Sequence, residues 1–337
     1  MAQENFSFAT DHCSGELQNA TSIILAFLHS VSGLVSVVGN FAVLLAVYQT
    51  PTLHTPSNYY IASLAAGDFL VGMFICPLWV TKSALNIWRN QHPLTIAAEL
   101  MSMQTLITTT FNLAAVSLDR YLAIIKSYYY LQVMTQSRYS LSIGLIWAFS
   151  IAFSFIRLAI TEPTDLPYLW IAVAIVGYTL PFAVITYSYY HIYKAAKHQS
   201  RRIEADNRAV SVVTAEAGQS GVGSFCGVTK CNKKAANTIG IIIGVYLILA
   251  FPSMVIVSIQ LITTSVCLKI RMIRYWFWGA LFTFSSSAVN PWIYAVRNRD
   301  YKRAFKRIFK CRFSSDTRVS VSTGKSIETS QVLELPN

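Results

Sequence analysis

From Leu100 to Leu118 the chain runs for nineteen residues without a formal charge, then stops on Asp119-Arg120-Tyr121. Nineteen helical residues rise roughly 28 Å, about the hydrocarbon thickness of a bilayer. An acid and a base side by side at the end of such a segment sit where lipid gives way to water. There they pair with each other, or release the arginine to another partner.

Composition agrees with a membrane class. Hydrophobic residues make up 54% of the 337 and charged residues only 12%, whereas soluble domains carry about 25% charged residues. A net charge of +12 raises the question of nucleic acid, and its distribution argues against that. Of 27 Lys and Arg, none lies in residues 1–81, eight lie in 194–234 and ten in 297–325. Cations gathered in alternate loops and the tail follow the positive-inside rule. The start reads as lacking a signal peptide, because Glu4, Asp11 and Glu16 precede the first apolar run and no basic stretch does. An acidic start outside and a basic end inside require an odd number of spans. The expected location is the plasma membrane, with the N-terminus extracellular and the C-terminus cytoplasmic. Asn5-Phe-Ser7 and Asn19-Ala-Thr21 are glycosylation sequons in the 1–22 tail, a segment expected to be extracellular and unstructured.

Seven spans are expected: Ile23–Tyr48, Asn58–Ser83, Thr95–Ile125, Arg138–Arg157, Pro167–Tyr193, Lys234–Ile262 and Tyr275–Val296. Prolines 181, 252 and 291 fall inside the last three, where neighbouring helices re-satisfy the freed backbone groups. The stretch 198–233 is rich in Gly, Ser, Ala and charge and reads as a mobile cytoplasmic loop. In 297–312, Tyr301, Ala304, Phe305, Ile308 and Phe309 recur at helical spacing between basic residues. That pattern is a basic amphipathic helix for the inner membrane surface. Cys311 at its end is a candidate for palmitoylation, and residues 313–337 read as a disordered Ser/Thr-rich tail. The fold class is therefore an all-α membrane protein: a seven-transmembrane helix bundle (23–296) with a short amphipathic eighth helix.

Two polar constellations stand out. Asp68 lies ten residues into the second span, and a carboxylate at that depth is functional by default. Thr109 of span three is about 15 Å above Asp119 by helical rise, a similar depth, and Ser286, Ser287 and Asn290 of span seven fall there too. Such a group suits a Na⁺ ion or a proton; the alternative is a neutral, hydrogen-bonded Asp. At the inner end, Tyr189, Tyr294 and Arg120 converge on one mouth and could rearrange as a switch, although each tyrosine alone also fits an interfacial anchor.

The order of these motifs resembles the rhodopsin-like G-protein-coupled receptors. Gly39-Asn40, SLAAGD (63–68), SLDRY (117–121), Trp147, Pro181 with Tyr189, Pro252 and NPWIY (290–294) carry the resemblance through every span. SNYYIASLAAGDFLVG and KKAANTIGIIIGVY look most like the amine-type members. The resemblance implies that an outside ligand moves span six, frees Arg120 and lets a heterotrimeric G protein engage the inner mouth. It assigns switch roles to Asp119, Arg120, Tyr121, Tyr189, Tyr246, Asn290, Pro291 and Tyr294. Tyr128 stands where the family docks a bulky apolar residue on the G protein. Arrestin and receptor kinases are implied as further partners, and no cofactor is, beyond an allosteric Na⁺.

The departures from the family lie at the recognition end. Ser102 replaces the span-three Asp that holds ligand ammonium groups in amine receptors. Thr95 replaces the cysteine that ties span three to the second outer loop, and that loop, 161–167, has no cysteine. Ala250 replaces the switch tryptophan of span six. Cys13 and Cys267 are the two cysteines expected outside; they pair, as in some receptors of the family, or stay free. Glu99, Ser102, Met103 and Leu106 share a face of span three. Family geometry sets Trp79 and Lys82 beside them, with Ser253, Met254, Trp276, Ala280 and Phe284 across. Glu99 either meets a cationic ligand or pairs with Lys82. Arg157, Lys269, Arg271 and Arg274 are expected to form a basic outer rim.

Competing classes fare worse. An opsin needs a lysine in span seven, and 275–296 has none. A transporter or channel would carry more intramembrane charge than Asp68, and six scattered histidines make no enzyme site. The expected ligand is a small amine or related neutral molecule, with a lipid, a purine, a peptide or ligand-free constitutive activity as the alternatives.

Overall fold

The computed structural model describes residues 15–89, 91–162, 164–213 and 225–315, with the side chains of 131, 199–200, 202–235 and 310–315 left aside. The described backbone is helical, and its long helices are labelled α1 to α8. They are α1, Asn19–Gln49; α2, Pro56–Ala84; α3, Pro93–Ile125; and α4, Gln136–Ala159 with a break at Phe155. They continue as α5, Leu166–Val173 running on through Ala174–Thr179 to Leu180–Val213; α6, Phe225–Ile262; α7, Val266–Arg297; and α8, Arg299–Ser315.

Local chemistry sets the boundaries. Proline opens α2 and α3, where its missing N–H costs nothing. His92 Nδ1 accepts from the Leu94 amide at 3.2 Å and caps α3. Two helices carry π-type turns, Val71–Ile75 in α2 and Ala174–Thr179 in α5. Each lies just before a proline, Pro77 or Pro181. A proline ring collides with the carbonyl four residues back and offers no N–H. The wider turn absorbs this, with Cys76 N reaching Val71 O and Leu180 N reaching Ile175 O. Asn86 takes a positive φ of 54° in the loop between α2 and α3. There its side chain accepts from Leu17 N at 2.9 Å and donates to Leu17 O at 3.3 Å, so the N-terminal segment is clamped onto the loop.

Three expectations are corrected. The loop expected over 198–233 is largely helical, since α5 runs to Val213 and α6 begins at Phe225. Gly218, Gly221 and Gly223 are confined between those ends, while 198–213 carries no Gly or Pro to stop a helix. Span seven begins at Val266 rather than Tyr275; its basic first turns hid the helix from a reading based on apolarity. Asn19 is the first residue of α1, not part of an unstructured tail.

Among the described residues, five helices are long and apolar enough to cross a bilayer by composition: α1, α2, α4, 166–198 of α5 and 236–262 of α6. The other two, α3 and α7, are more polar because they face protein. α3 buries Thr105, Thr108, Thr109, Thr110, Asn112 and Ser117, and packs against α2, α4, α5 and α6. α7 buries Ser286, Ser287 and Asn290 between α1 and α6. Ser, Thr and Asn so placed bond to carbonyls of their own helix or to neighbouring helices: Thr108 donates to Ser150 of α4 at 2.8 Å, and Asn112 to Thr108 O at 2.8 Å.

Candidate functional site

A cavity of about 420 Å³ lies between α3, α5, α6 and α7. From α3 it is lined by Ser102, Met103 and Leu106, with Thr105 and Thr109 below. From α6 come Ser253 and Met254, and from α7 Trp276, Ala280 and Phe284. Sequence reasoning missed the whole α5 wall, which includes Trp170, Ala174, Tyr178 and Phe182. An apolar span has no polar stripe to say which side faces inward. No Asp, Glu, Lys, Arg or His lines this cavity among the described residues. The polarity it offers is hydroxyl. Ser253 Oγ donates to Ala250 O at 2.8 Å, and Thr283 Oγ1 lies 3.0 Å from Ser253 Oγ. Ser102 Oγ is buried without a hydrogen-bond partner.

Trp79, Lys82 and Glu99 do not line the cavity. Trp79 is buried edge-on against Phe277 at 5.4 Å and stacked with His29 at 5.9 Å. The Lys82 ammonium sits 4.5 Å from the Trp79 ring centroid, a cation–π contact. Glu99 pairs with Arg157 rather than Lys82: Arg157 Nε donates to Glu99 Oε2 at 2.6 Å. Arg157 is thus no part of an exposed rim. Only 2% of its side chain is exposed, and it also donates to Ile160 O at 3.3 Å. The extra turn Ile156–Ala159 at the end of α4 carries this residue inward.

Beneath the cavity, Asp68 is 1% exposed. Its Oδ1 accepts from Ser287 Oγ at 2.7 Å and its Oδ2 from Asn290 Nδ2 at 2.8 Å. Ser36 of α1 donates to the Asp68 backbone carbonyl at 2.8 Å, and Asn40 Nδ2 to Ser287 O at 2.9 Å. Polar groups of three helices, α1, α2 and α7, are therefore gathered around one carboxylate, while Thr109 of α3 lines the cavity. Thr109 and Ser286 make no hydrogen bond to Asp68; Ser286 donates to Thr283 O at 2.6 Å instead.

At the end of α3 away from the cavity, Arg120 is held by its neighbour Asp119. Its Nε donates to Asp119 Oδ2 at 2.9 Å and its terminal nitrogen to the same oxygen at 2.6 Å. Ser57 of α2 touches both partners. Tyr130, on the loop helix Ser127–Val133, donates to Asp119 Oδ1 at 2.8 Å. Burial and the neighbouring Asp119 hold the Tyr130 phenol well above its ordinary range, so it stays a donor. Tyr189 donates to Ala236 O of α6 at 3.0 Å, not to Arg120. Tyr294 stacks on Tyr301 of α8 at 5.5 Å, and its hydroxyl is buried without a partner. Tyr246 is buried at the cavity floor, while Tyr128 is 81% exposed on the loop helix Ser127–Val133. Tyr121 packs against Tyr187 and His191 of α5.

The remaining sites are peripheral. Asn19 is exposed, whereas Asn5 and Cys13 lie outside the described residues. Cys267 is disulfide-bonded, to a partner whose side chain is not among those described. Cys311 lies on α8 with its side chain likewise outside them.

Comparison with known proteins gives the same picture. The family described as "7 transmembrane receptor (rhodopsin family)" matches residues 39–294. Mouse trace amine-associated receptor 9 is 29% identical over 309 residues, covering 84% of each chain. Rabbit 5-hydroxytryptamine receptor 1B is 26% identical over 378 residues, covering 92% of this chain and 94% of its own. Rat alpha-1D adrenergic receptor is 27% identical over 319 residues, and the chain spans about half, 56%, of that relative's length. The family match begins at Gly39 in α1 and ends on Tyr294 of α7, so it takes in the cavity lining, Asp68 with Ser287 and Asn290, and the Asp119–Arg120 pair. The chain belongs to the rhodopsin family of G-protein-coupled receptors, multi-pass membrane proteins that signal through G proteins and are not enzymes.

Proposed function

We propose that this receptor answers an uncharged, mostly apolar small molecule carrying one or two hydrogen-bonding groups. The observation that carries the reading is a cavity of about 420 Å³ without a charged lining residue. Glu99, the one acid on the outer part of α3, is already neutralised by Arg157. A cationic ligand would lose its hydration and find no counter-charge, and an unpaired buried charge is strongly disfavoured. An uncharged ligand loses little and gains from burying apolar surface against Met103, Phe182 and Phe284. Ser102 Oγ supplies a hydrogen bond that nothing else in the described residues uses. A second reading, an amine ligand, is favoured by the relatives, which are named for trace amines, 5-hydroxytryptamine and adrenergic signalling.

In this reading the receptor sits in the plasma membrane with its N-terminus outside. Ligand contact with Ser253 and Met254 biases α6 at Pro252, opens the inner mouth and frees Arg120 for the G protein. The Asp68 cluster suits a monovalent cation, because each carboxylate oxygen keeps a spare lone pair and Asn40 Oδ1 is buried and unpartnered. Asp68, Ser287 and Asn290 would hold Na⁺ there and favour the closed state. Replacing NaCl by choline chloride is expected to lower the unfolding temperature of the wild type but not of Asp68→Asn. Arrestin, receptor kinases, glycosylation at Asn5 and Asn19, palmitoylation at Cys311 and a Cys13–Cys267 disulfide belong to this reading as well. The deciding experiment expresses the receptor in a reporter cell and measures cAMP and Ca²⁺. Basal signal is taken first, then responses to matched panels of neutral lipophiles and primary amines. Response confined to the amines would refute the uncharged-ligand reading.

A further inference from the structure

The cavity's outer, aqueous side carries an aromatic bridge. Trp170 at the start of α5 meets Trp276 of α7 edge-on at 6.1 Å, across the top of the bundle. Its flank is less closed. α5 leans on α3 and α6 leans on α7, while α5 and α6 touch each other only sparsely among the described residues. What joins them lies at the cavity floor and below it: Tyr178 bonds Ser253 and Tyr246, the Phe182 and Tyr246 rings lie 6.5 Å apart, and Tyr189 bonds Ala236 O. Beside these contacts, Thr179 of α5 and Ser258 of α6 each line the cavity and are themselves exposed. Both hydroxyls are tied to their own backbones, Thr179 to Ala174 O at 3.1 Å and Ser258 to Met254 O at 2.8 Å. They therefore present methyl and methylene surface, with no hydrogen bond bridging one to the other. Around them the outward surface is hydrocarbon: Ile175 on α5, and Phe251, Val255 and Ile259 on α6.

We propose that the cavity opens sideways into the bilayer between the outer halves of α5 and α6, and that the ligand is an uncharged amphiphile that enters from lipid. This rests on the uncharged-ligand reading. It adds a route and a class: a molecule that partitions into the membrane first and carries a hydroxyl or similar head towards Ser102. Such a ligand reaches the site without crossing the Trp170–Trp276 bridge, and its concentration in the bilayer exceeds that in water.

The test uses the full-length receptor in phosphatidylcholine nanodiscs with a diazirine-bearing decanol dissolved in the lipid. Photolabelled positions are mapped by mass spectrometry. Adducts are expected on the buried interior residues Met103 and Ala280 as well as on the lipid-facing Ile175 and Phe251. In the variant Thr179→Trp with Ser258→Trp, the interior adducts are expected to fall several-fold while those on Ile175 and Phe251 persist. A Thr179→Leu, Ser258→Leu pair gives an intermediate loss and serves if the tryptophans impair folding, judged by size-exclusion chromatography. Interior labelling that the plug leaves unchanged overturns the lateral route and leaves the uncharged pocket standing. Absence of interior labelling in the wild type also overturns the route. A diazirine-bearing alkylammonium added from water then separates the two ideas, since its labelling of Met103 and Ala280 would overturn the uncharged reading itself.

Discussion

Glu99 and Arg157 set the electrostatics of the recognition end. The pair is almost wholly out of water, Arg157 at 2% and Glu99 at 13% side-chain exposure. Breaking a buried pair by removing one partner costs about 3–5 kcal/mol, whereas an apolar replacement of both is often close to neutral. Arg157→Ala is therefore expected to lower the unfolding temperature of the detergent-solubilised receptor sharply, and Glu99→Leu with Arg157→Met to restore most of it. A double variant as unstable as the single one would show that the pair does more than neutralise itself. Ser102 offers the complementary change. Ser102→Asp places an unpaired carboxylate in an uncharged cavity, so stability falls until a cation arrives. Tyramine at about a hundredfold excess over its Kd should then return about 2.7 kcal/mol by mass action. The same additive is expected to leave the wild type unmoved in a thermal-unfolding assay. The sequence made Ser102, Met103 and Leu106 legible as one face because helical spacing alone places them. It left the Glu99 partner open between Lys82 and a ligand, since the residue that neutralises it is 58 positions away on another helix.

At the scale of elements, close helix approach depends on missing side chains. A Cβ added to Gly72 would stand 2.6 Å from the Gly33 carbonyl oxygen and 2.9 Å from Val37. The nearest atom is backbone of α1, which has no rotamer to change. Overpacking of this kind costs about 1–3 kcal/mol. Gly72→Val is expected to part α1 from α2, lowering folded yield and unfolding temperature, while Gly144→Val, which meets nothing within 4 Å, should be silent. Equal behaviour of the two would show that α1 and α2 are not in tight contact. Gly72 sits inside the π-type turn before Pro77, a feature the sequence suggests only as a proline near a helix end. Helix number and order were readable because lipid demands long apolar runs. The lengths of α5 and α6 were not, because their inner extensions are polar and helical propensity there has no hydrophobic pattern to announce it. The polar centre was readable by depth: counting along two helices brings Asp68, Ser287 and Asn290 to one level, and their hydrogen bonds of 2.7 and 2.8 Å join that level. The same counting added Thr109 and Ser286 without telling which way their hydroxyls turn.

Across the whole molecule, the proposed switch turns on what Arg120 would give up for a G protein. In the structure it shares Asp119 with Ser57 and Tyr130, so the arginine's hold comes from α2, α3 and the loop helix together. Hydrogen bonds to charged groups contribute about 1.5–3 kcal/mol each, and the 12% exposure of Arg120 lets solvent screen part of that. Asp119→Asn keeps the shape and removes the charge. With each 1.4 kcal/mol worth about tenfold in an equilibrium, basal cAMP or Ca²⁺ signalling is expected to rise several-fold. Tyr130→Phe removes one donor to the acid and leaves the Arg120 contacts in place, so it should raise basal signal by less. Arg120→Ala is expected to abolish G-protein responses, and combining it with Asp119→Asn should also be silent. That last variant separates two accounts of the acid. If Asp119 acts by restraining Arg120, no basal gain survives loss of the arginine. If basal signal stays raised in the double variant, the acid restrains α2 through Ser57 instead, and the latch lies between helices rather than on the arginine.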